Sequence, residues 1–188
     1  MAEERARNPN LISPKTMEAM ASTSGSGREL FSEIFTKVNN AKVKADKIAV
    51  LRKHDTPAMR MILKGAFDPK IEWDLPPGIP PFIRNEAPAG TEHAVLAYEC
   101  RKLYRFIKSG NDKTPQYKKE QMFIQMLEAL HESEADLLLA AKDKKLHQAY
   151  KGLSEPVVKE AFGWTDEYKL PEVPVYPQGS KSASGIAD

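Results

Sequence analysis

The sequence predicts a mainly α fold: a compact bundle of short helices, one proline-rich extended crossing, and disordered N- and C-terminal tails. Three observations carry this. Apolar side chains recur at helical spacing in successive segments between Arg28 and Phe162. Helix starters and breakers, among them Thr56-Pro57, Thr114-Pro115, Gly110 and Gly163, punctuate those segments. The one alternating run, Ile71, Trp73 and Leu75, leads straight into two Pro-Pro pairs, which forbid a continuing helix. The expected organisation is a flexible arm over residues 1–27, a single helical domain over 28–169 and a flexible tail over 170–188.

The arm ends in a Ser-Thr-Ser-Gly-Ser-Gly run at Gly27, a linker-like composition. A short helix around Lys15 to Ala21, with Met17 and Met20, is marginal alone; the arm is also a candidate docking peptide. Leu30, Phe31, Ile34, Phe35 and Val38 predict an amphipathic helix ending near Asn39-Asn40. Ala45 to Lys53 places Ile48, Leu51 and Val50 on one side. Thr56 is a predicted N-cap with Pro57 at the first helical position, and Gly65 is the expected stop.

Residues 67–90 form the crossing. Phe67, Trp73 and Phe82 are expected to staple it to the helices, and the alternative is a partner surface presented by Trp73, Pro76, Pro77, Pro80, Pro81 and Phe82. A central helix is then predicted from Thr91 to Gly110, its core stripe being Leu96, Cys100, Leu103 and Ile107. A tight connection leads to a helix from Gln116 to about Leu130, an antiparallel hairpin in expectation. Ser133 is the expected cap of a helix from Glu134 to about Lys142, which is apolar around most of its circumference and so the most buried. Asp143 to Leu146 reads as a loop, and Ser154 as the cap of a last helix that reaches Phe162 and ends at Gly163.

Composition narrows the function classes. The 188 residues carry 28 basic and 26 acidic side chains, a net charge of +2, so any attraction for nucleic acid has to be local. A lone cysteine, Cys100, excludes an internal disulfide or a multi-cysteine zinc site, and its place in the apolar stripe suits a structural thiol. The expectation is a soluble intracellular protein: the N-terminus lacks the apolar core of a secretory signal, and no run is long enough to cross a membrane. No phosphate-binding glycine loop is present. His54, His93, His131 and His147 lack the pairing of a helical metal site, and Asp68 with Asp74 near Trp73 is a candidate acid pair whose proline-rich setting suits turn formers instead. Catalytic, metal and cofactor residues are therefore predicted as none. A helix-turn-helix reading of the last two helices fails on the length of the loop between them.

The basic residues are more informative. Between Arg101 and Glu120 there are seven basic and two acidic residues, a local +5. At α-helical spacing Arg101, Arg105 and Lys108 share a face, with Tyr98 preceding them and Tyr104 beside it; Lys113, Lys118 and Lys119 follow. Cations interleaved with aromatics are what phosphate neutralisation and base stacking require. The competing reading is a solvated helix face. Lys142, Lys144, Lys145 and Lys151 form a second basic cluster.

Several phrases, taken as a set, carry a resemblance to a known family: Lys47-Ile-Ala-Val-Leu-Arg-Lys-His-Asp-Thr-Pro-Ala-Met-Arg, Leu63-Lys-Gly-Ala-Phe-Asp-Pro, Leu75-Pro-Pro-Gly-Ile-Pro-Pro-Phe, Phe123-Ile-Gln-Met-Leu-Glu-Ala-Leu-His, and Lys142-Asp-Lys-Lys-Leu with Tyr150-Lys-Gly-Leu. Together, over Glu33 to Phe162, they look like a domain of unknown function found in small proteins of T4-like tailed bacteriophages and cyanophages. The resemblance implies no catalytic residues. It implies a non-enzymatic phage accessory protein in the cytoplasm of an infected bacterium. The expected partner is a phage or host macromolecular complex, with nucleic acid or its processing machinery first among them. The alternative is a minor virion protein whose terminal arms order on assembly.

Overall fold

The computed structural model describes residues 29–88, 91, 94–108 and 113–171. The expectations for the arm, for the tail beyond Pro171, for His93 and for a stop at Gly110 lie outside the described residues.

The fold is mainly α. In chain order it comprises α1 (Phe31–Asn40), α2 (Lys44–Lys53), α3 (Pro57–Phe67), the single turn α4 (Leu96–Glu99) continuing into a 3-10 helix (Cys100–Phe106), α5 (Gln116–Ala129), α6 (Glu132–Lys142), the short α7 (Leu146–Ala149) and α8 (Glu155–Phe162). Among the described residues extended pairing is limited to one antiparallel bridge, Trp73 with Ile107.

Two layers meet over one core. In the first, α2 packs between α1 and α8; in the second, α6 lies against α3, α1 and α5. Phe35, Leu51, Ile62, Leu63, Leu127, Leu138 and Val158 lie within a common cluster of buried side chains. As expected, α6 is heavily buried: Glu134, Ala135, Leu137, Leu138, Leu139, Ala141 and Lys142 are all inaccessible.

Local chemistry sets the helix ends. Thr56 Oγ1 accepts the Met59 N–H at 3.2 Å and Pro57 opens α3, as predicted. Gly65 does not stop that helix, which runs on to Phe67. Its role is close approach: a Cβ there would stand 3.0 Å from Cζ2 of Trp73. Pro115, with no side-chain cap, holds the N-cap position of α5 where Thr114 was expected. The cap of α6 is His131, not Ser133; its Nδ1 accepts the Ser133 N–H at 3.2 Å and lies 2.7 Å from the Ser133 hydroxyl. Ser154 occupies the N-cap of α8 without a side-chain hydrogen bond, and Gly163, at φ 65°, ends that helix in the left-handed region as predicted. Beyond it Trp164 and Tyr168 are buried, and the Tyr168 hydroxyl donates to Glu155 at 2.6 Å.

The crossing is tied down along its length. Trp73 donates its indole N–H to the Gly65 carbonyl at 3.0 Å, and Phe67, Trp73 and Phe82 pack on the core, so the stapling expectation holds. The second lysine cluster supplies a clasp. Buried Lys142 donates to the Pro76 carbonyl at 2.8 Å and pairs with Asp143, whose carboxylate accepts the Gly78 N–H at 3.1 Å. Lys144 donates to the carbonyls of Gly65 and Asp68 at 2.7 and 2.8 Å, closing the C-terminal end of α3. Burial pushes its ammonium below the ordinary lysine value, and Asp68 partly offsets this.

Candidate nucleic-acid interface

The predicted central helix is instead one α turn followed by seven residues of 3-10 helix, and this regroups its side chains. A 3-10 helix has 3.0 residues per turn, so positions three apart eclipse, whereas positions four apart diverge by about 120°. Cys100, Leu103 and Phe106 form the core edge, all buried, with the Phe106 ring 5.3 Å from that of Phe123. Ile107, expected in that stripe, is half-buried and leaves it for the bridge to Trp73. Both apolar patterns fit the sequence up to Leu103; only the burial of Phe106 rather than Ile107 separates them.

The same geometry overturns the grouping of Arg101, Arg105 and Lys108 on one face. Arg101 falls in register with Tyr98 and Tyr104, and the three make an exposed edge, the tyrosines 55% and 59% accessible. Arg105 falls in register with Lys102 on a second edge, which continues that of Glu99 in the α turn, and Lys108 lies beyond the helix, after the extended Ile107. Lys102 pairs with Glu99 at 2.7 Å and Lys108 with Glu72 at 3.0 Å. The hydrogen bond to Glu72 holds the Lys108 ammonium above its ordinary value. Arg105 leans back over the Tyr104 ring, 5.7 Å from its centroid, with Nε 3.3 Å from the Tyr104 hydroxyl.

Lys119 is removed from the candidate surface altogether. It is buried, 5% accessible, and its ammonium meets the Asp74 carboxylate at 2.7 Å. Its neighbours on α5 stay outside: Lys118 is exposed, and Tyr117 is 65% accessible. The predicted residues therefore divide. Tyr104, Arg105 and Lys118 line one cleft of about 320 Å³ together with Thr114 and Met122. Tyr98 and Arg101 face a larger cleft of about 630 Å³ bounded by Phe31, His54, Pro57 and Met61. Lys108 lines a third with Trp73, Pro77 and Lys142. On the crossing, Pro76, Pro77 and Pro81 are exposed, and Pro80 and Phe82 are half-buried. Pro76 to Pro81 wall a cleft against Phe123 and Ile124 of α5.

Among the described residues most groups capable of chemistry are engaged in structure. Cys100 is fully buried; burial, then the charges of Glu134 and Glu99, push its thiol far above the ordinary value. His131 serves as a cap, His147 is exposed, and His54 lies 3.4 Å from Glu29. Asp68 accepts the Lys70 N–H at 2.9 Å while Asp74 holds Lys119, so the two are committed separately. Among the described residues no three His, Cys, Asp or Glu side chains gather as a metal site, and no helix is long and apolar enough to cross a membrane.

The residue that positions the tyrosine edge is one that periodicity could not single out. Glu134, fully buried on α6, accepts the Phe31 N–H at 3.1 Å with Oε1 and the Leu96 N–H at 2.8 Å with Oε2. Those amides open α1 and α4, whose N-cap residues, Leu30 and Val95, have no side-chain cap. One carboxylate thus caps two helices from a third, and fixes where the tyrosine edge begins. Glu134 is one of three acids at the start of α6, with Glu132 and Asp136, so the sequence offers no signal that sets it apart.

A protein-family model, "Family of unknown function (DUF6433)", matches residues 34–148. The chain belongs to this family. The DUF6433 match spans the crossing, the tyrosine edge, the cleft at Lys118 and Glu134, and stops short of α8 and of the Trp164–Tyr168 packing. It is shorter at the C-terminal end than the resemblance read from the phrases, which extended to Phe162. No curated protein and no solved structure matches the DUF6433 chain.

Proposed function

We propose that this protein binds single-stranded nucleic acid, without catalysis, along the edge formed by Tyr98, Arg101 and Tyr104. The observation that carries the reading is the pair of exposed tyrosines three residues either side of an exposed arginine, Tyr98 in the α turn and Arg101 and Tyr104 in the 3-10 helix that continues it. Large aromatic rings held in water on a rigid element cost solvation unless something covers them. Stacked bases do so at about 1–3 kcal/mol each, while the intervening cation meets phosphate. Duplex DNA fits less well, because Lys102, Lys108 and Lys119 are each matched to a carboxylate and their charge is spent within the fold. We place this activity in a phage-infected bacterium, serving a phage or host nucleic-acid-processing complex, as the family phrases suggest.

The test is the salt dependence of binding to a thymidine oligonucleotide. Contacts from Arg101, Arg105 and Lys118 give a log–log slope of roughly −2, at about −0.7 per cation for single strands. Arg101→Ala/Arg105→Ala should flatten that slope by about 1.4 and weaken binding. Salt-independent binding, or a double variant indistinguishable from the parent, overturns the proposal. A pull-down from infected cells that recovers the protein without any nucleic-acid-processing partner contradicts the cellular setting.

A further inference from the structure

We infer that the cleft between the proline-rich crossing and α5 is a docking groove for a protein partner, which enters it with a large apolar side chain next to an arginine or lysine. The groove shares no residue with the tyrosine edge, so the inference is independent of strand binding. Leu75 and Ile79 of the crossing line it together with Phe123 and Ile124 of α5, around about 320 Å³. The crossing wall is fixed in place. Lys142 donates to the Pro76 carbonyl, Asp143 accepts the Gly78 N–H, and farther along the Ile83 N–H donates to Glu128 at 3.1 Å. A preformed groove of this kind spares a ligand the cost of ordering it. On that wall Ile79 and Ile83 stand 69% and 79% accessible, the most exposed large apolar side chains among the described residues. Two such side chains beside an apolar cleft form a patch of the kind that a partner covers.

Charge names the chemistry of the partner. Glu120 lines the groove half-buried, and among the described residues no hydrogen bond or ion pair engages its carboxylate. Lys142, the other charged side chain of the described lining, is neutralised by Asp143. The groove therefore holds one uncompensated negative charge in apolar surroundings. Its backbone is one-sided as well. Pro76, Pro77, Pro80 and Pro81 bring carbonyl oxygens and no N–H, and the Gly78 N–H is spent on Asp143. A groove rich in acceptors and carrying a single carboxylate takes a donor-rich cation. Arginine suits it better than lysine, because its planar guanidinium carries five donors and matches a carboxylate with two parallel hydrogen bonds. The same charge repels phosphate, so nucleic acid is not the occupant.

NMR of the isoleucine methyl groups, during titration with blocked Leu-Leu-Arg, Leu-Leu-Glu and Gly-Gly-Arg tripeptides, tests this. The Leu-Leu-Arg peptide should shift the Ile79 and Ile124 methyls saturably. It should bind about tenfold more tightly than either of the others, close to the size of one charge-assisted hydrogen bond. Glu120→Gln, a substitution of the same shape, should bring the ratio between the arginine and glutamate peptides close to one. Asp46→Asn, exposed in the first turn of α2, should leave it unchanged. Equal affinity for those two peptides, or no movement of the Ile79 and Ile124 methyls at millimolar peptide, overturns the proposal. So do methyls that move with protein concentration alone, which would assign the groove to a second copy of this chain, or with an oligothymidine, which would assign it to nucleic acid.

Discussion

Replacing Glu134 with alanine should loosen two helix starts at once. The carboxylate is fully buried and accepts the Phe31 and Leu96 amides at 3.1 and 2.8 Å. Its loss leaves two buried donors without that acceptor. At about 1–3 kcal/mol for each unsatisfied group, the cost is roughly 2–6 kcal/mol. That is a large part of the ~5–15 kcal/mol that holds a domain folded. For a domain of this size the melting temperature should fall by roughly 4–24 °C. Glu134→Gln keeps the shape but only one acceptor, so about half that fall is expected. The glutamine variant, still folded at room temperature, should also lose protection from hydrogen exchange at the Phe31 and Leu96 amides and bind oligonucleotide less well, because the tyrosine edge hangs from Leu96. A Glu134→Ala melt within about 3 °C of the parent, on the same size scaling, with both amides still protected, refutes this account of the helix starts.

Gly152→Ala should destabilise by about 1–3 kcal/mol through overpacking, because a Cβ there meets the Asn39 Cα and the Val38 carbonyl oxygen at 2.7 Å; a urea midpoint equal to the parent's would contradict it. Lys119→Ala should lower stability by removing one partner of a largely buried pair, yet leave the salt slope of oligonucleotide binding unaltered, whereas a lysine on the interface would change the slope. Cys100 should resist alkylation in the folded protein and react at the rate of global unfolding, since it is buried and its thiol is held protonated; rapid modification under native conditions would show that the core edge is open. Asp55 and Glu155 are held below the ordinary carboxylate range by hydrogen bonds from Arg60 and Lys159. They therefore stabilise above about pH 4, and that contribution is lost as pH falls through their lowered folded values. Cys100, raised, acts in the opposite sense: its contribution is full below about pH 8.5 and is lost as pH rises through its folded value. Urea midpoints should form a plateau between those limits with a shallow acid edge, because the two carboxylates belong to accessible surface pairs.

Most of the helical layout was legible because it depends on local pattern. Thr56-Pro57 opened α3 as its chemistry dictates, and the apolar circumference of α6 placed that helix at the centre. What sequence periodicity misjudged was the helix type. A stripe at Leu96, Cys100 and Leu103 suits 3.6 or 3.0 residues per turn, and only tertiary packing, with Phe106 turned inward against Phe123, selects the tighter form. That choice rearranged the candidate site, parting Arg101 from Arg105 and joining it to the tyrosines. Long-range pairing was equally invisible. Lys119 and Asp74 are 45 positions apart, and Glu134 and Phe31 are 103 apart. The lysines of the Lys142–Lys145 run read as a basic patch, but Lys142 and Lys144 are spent on carbonyls of the crossing and of α3, a use that neither charge counting nor spacing expresses.

The most direct test of strand binding on the tyrosine edge is photo-crosslinking of a thio-substituted oligothymidine, followed by peptide mapping. The account predicts crosslinks at Tyr98 and Tyr104, lost in Tyr98→Ala/Tyr104→Ala while the fold, judged by its melt, is kept. Crosslinks confined to other surfaces, such as the exposed prolines of the crossing or Lys145 and Lys151, would contradict it.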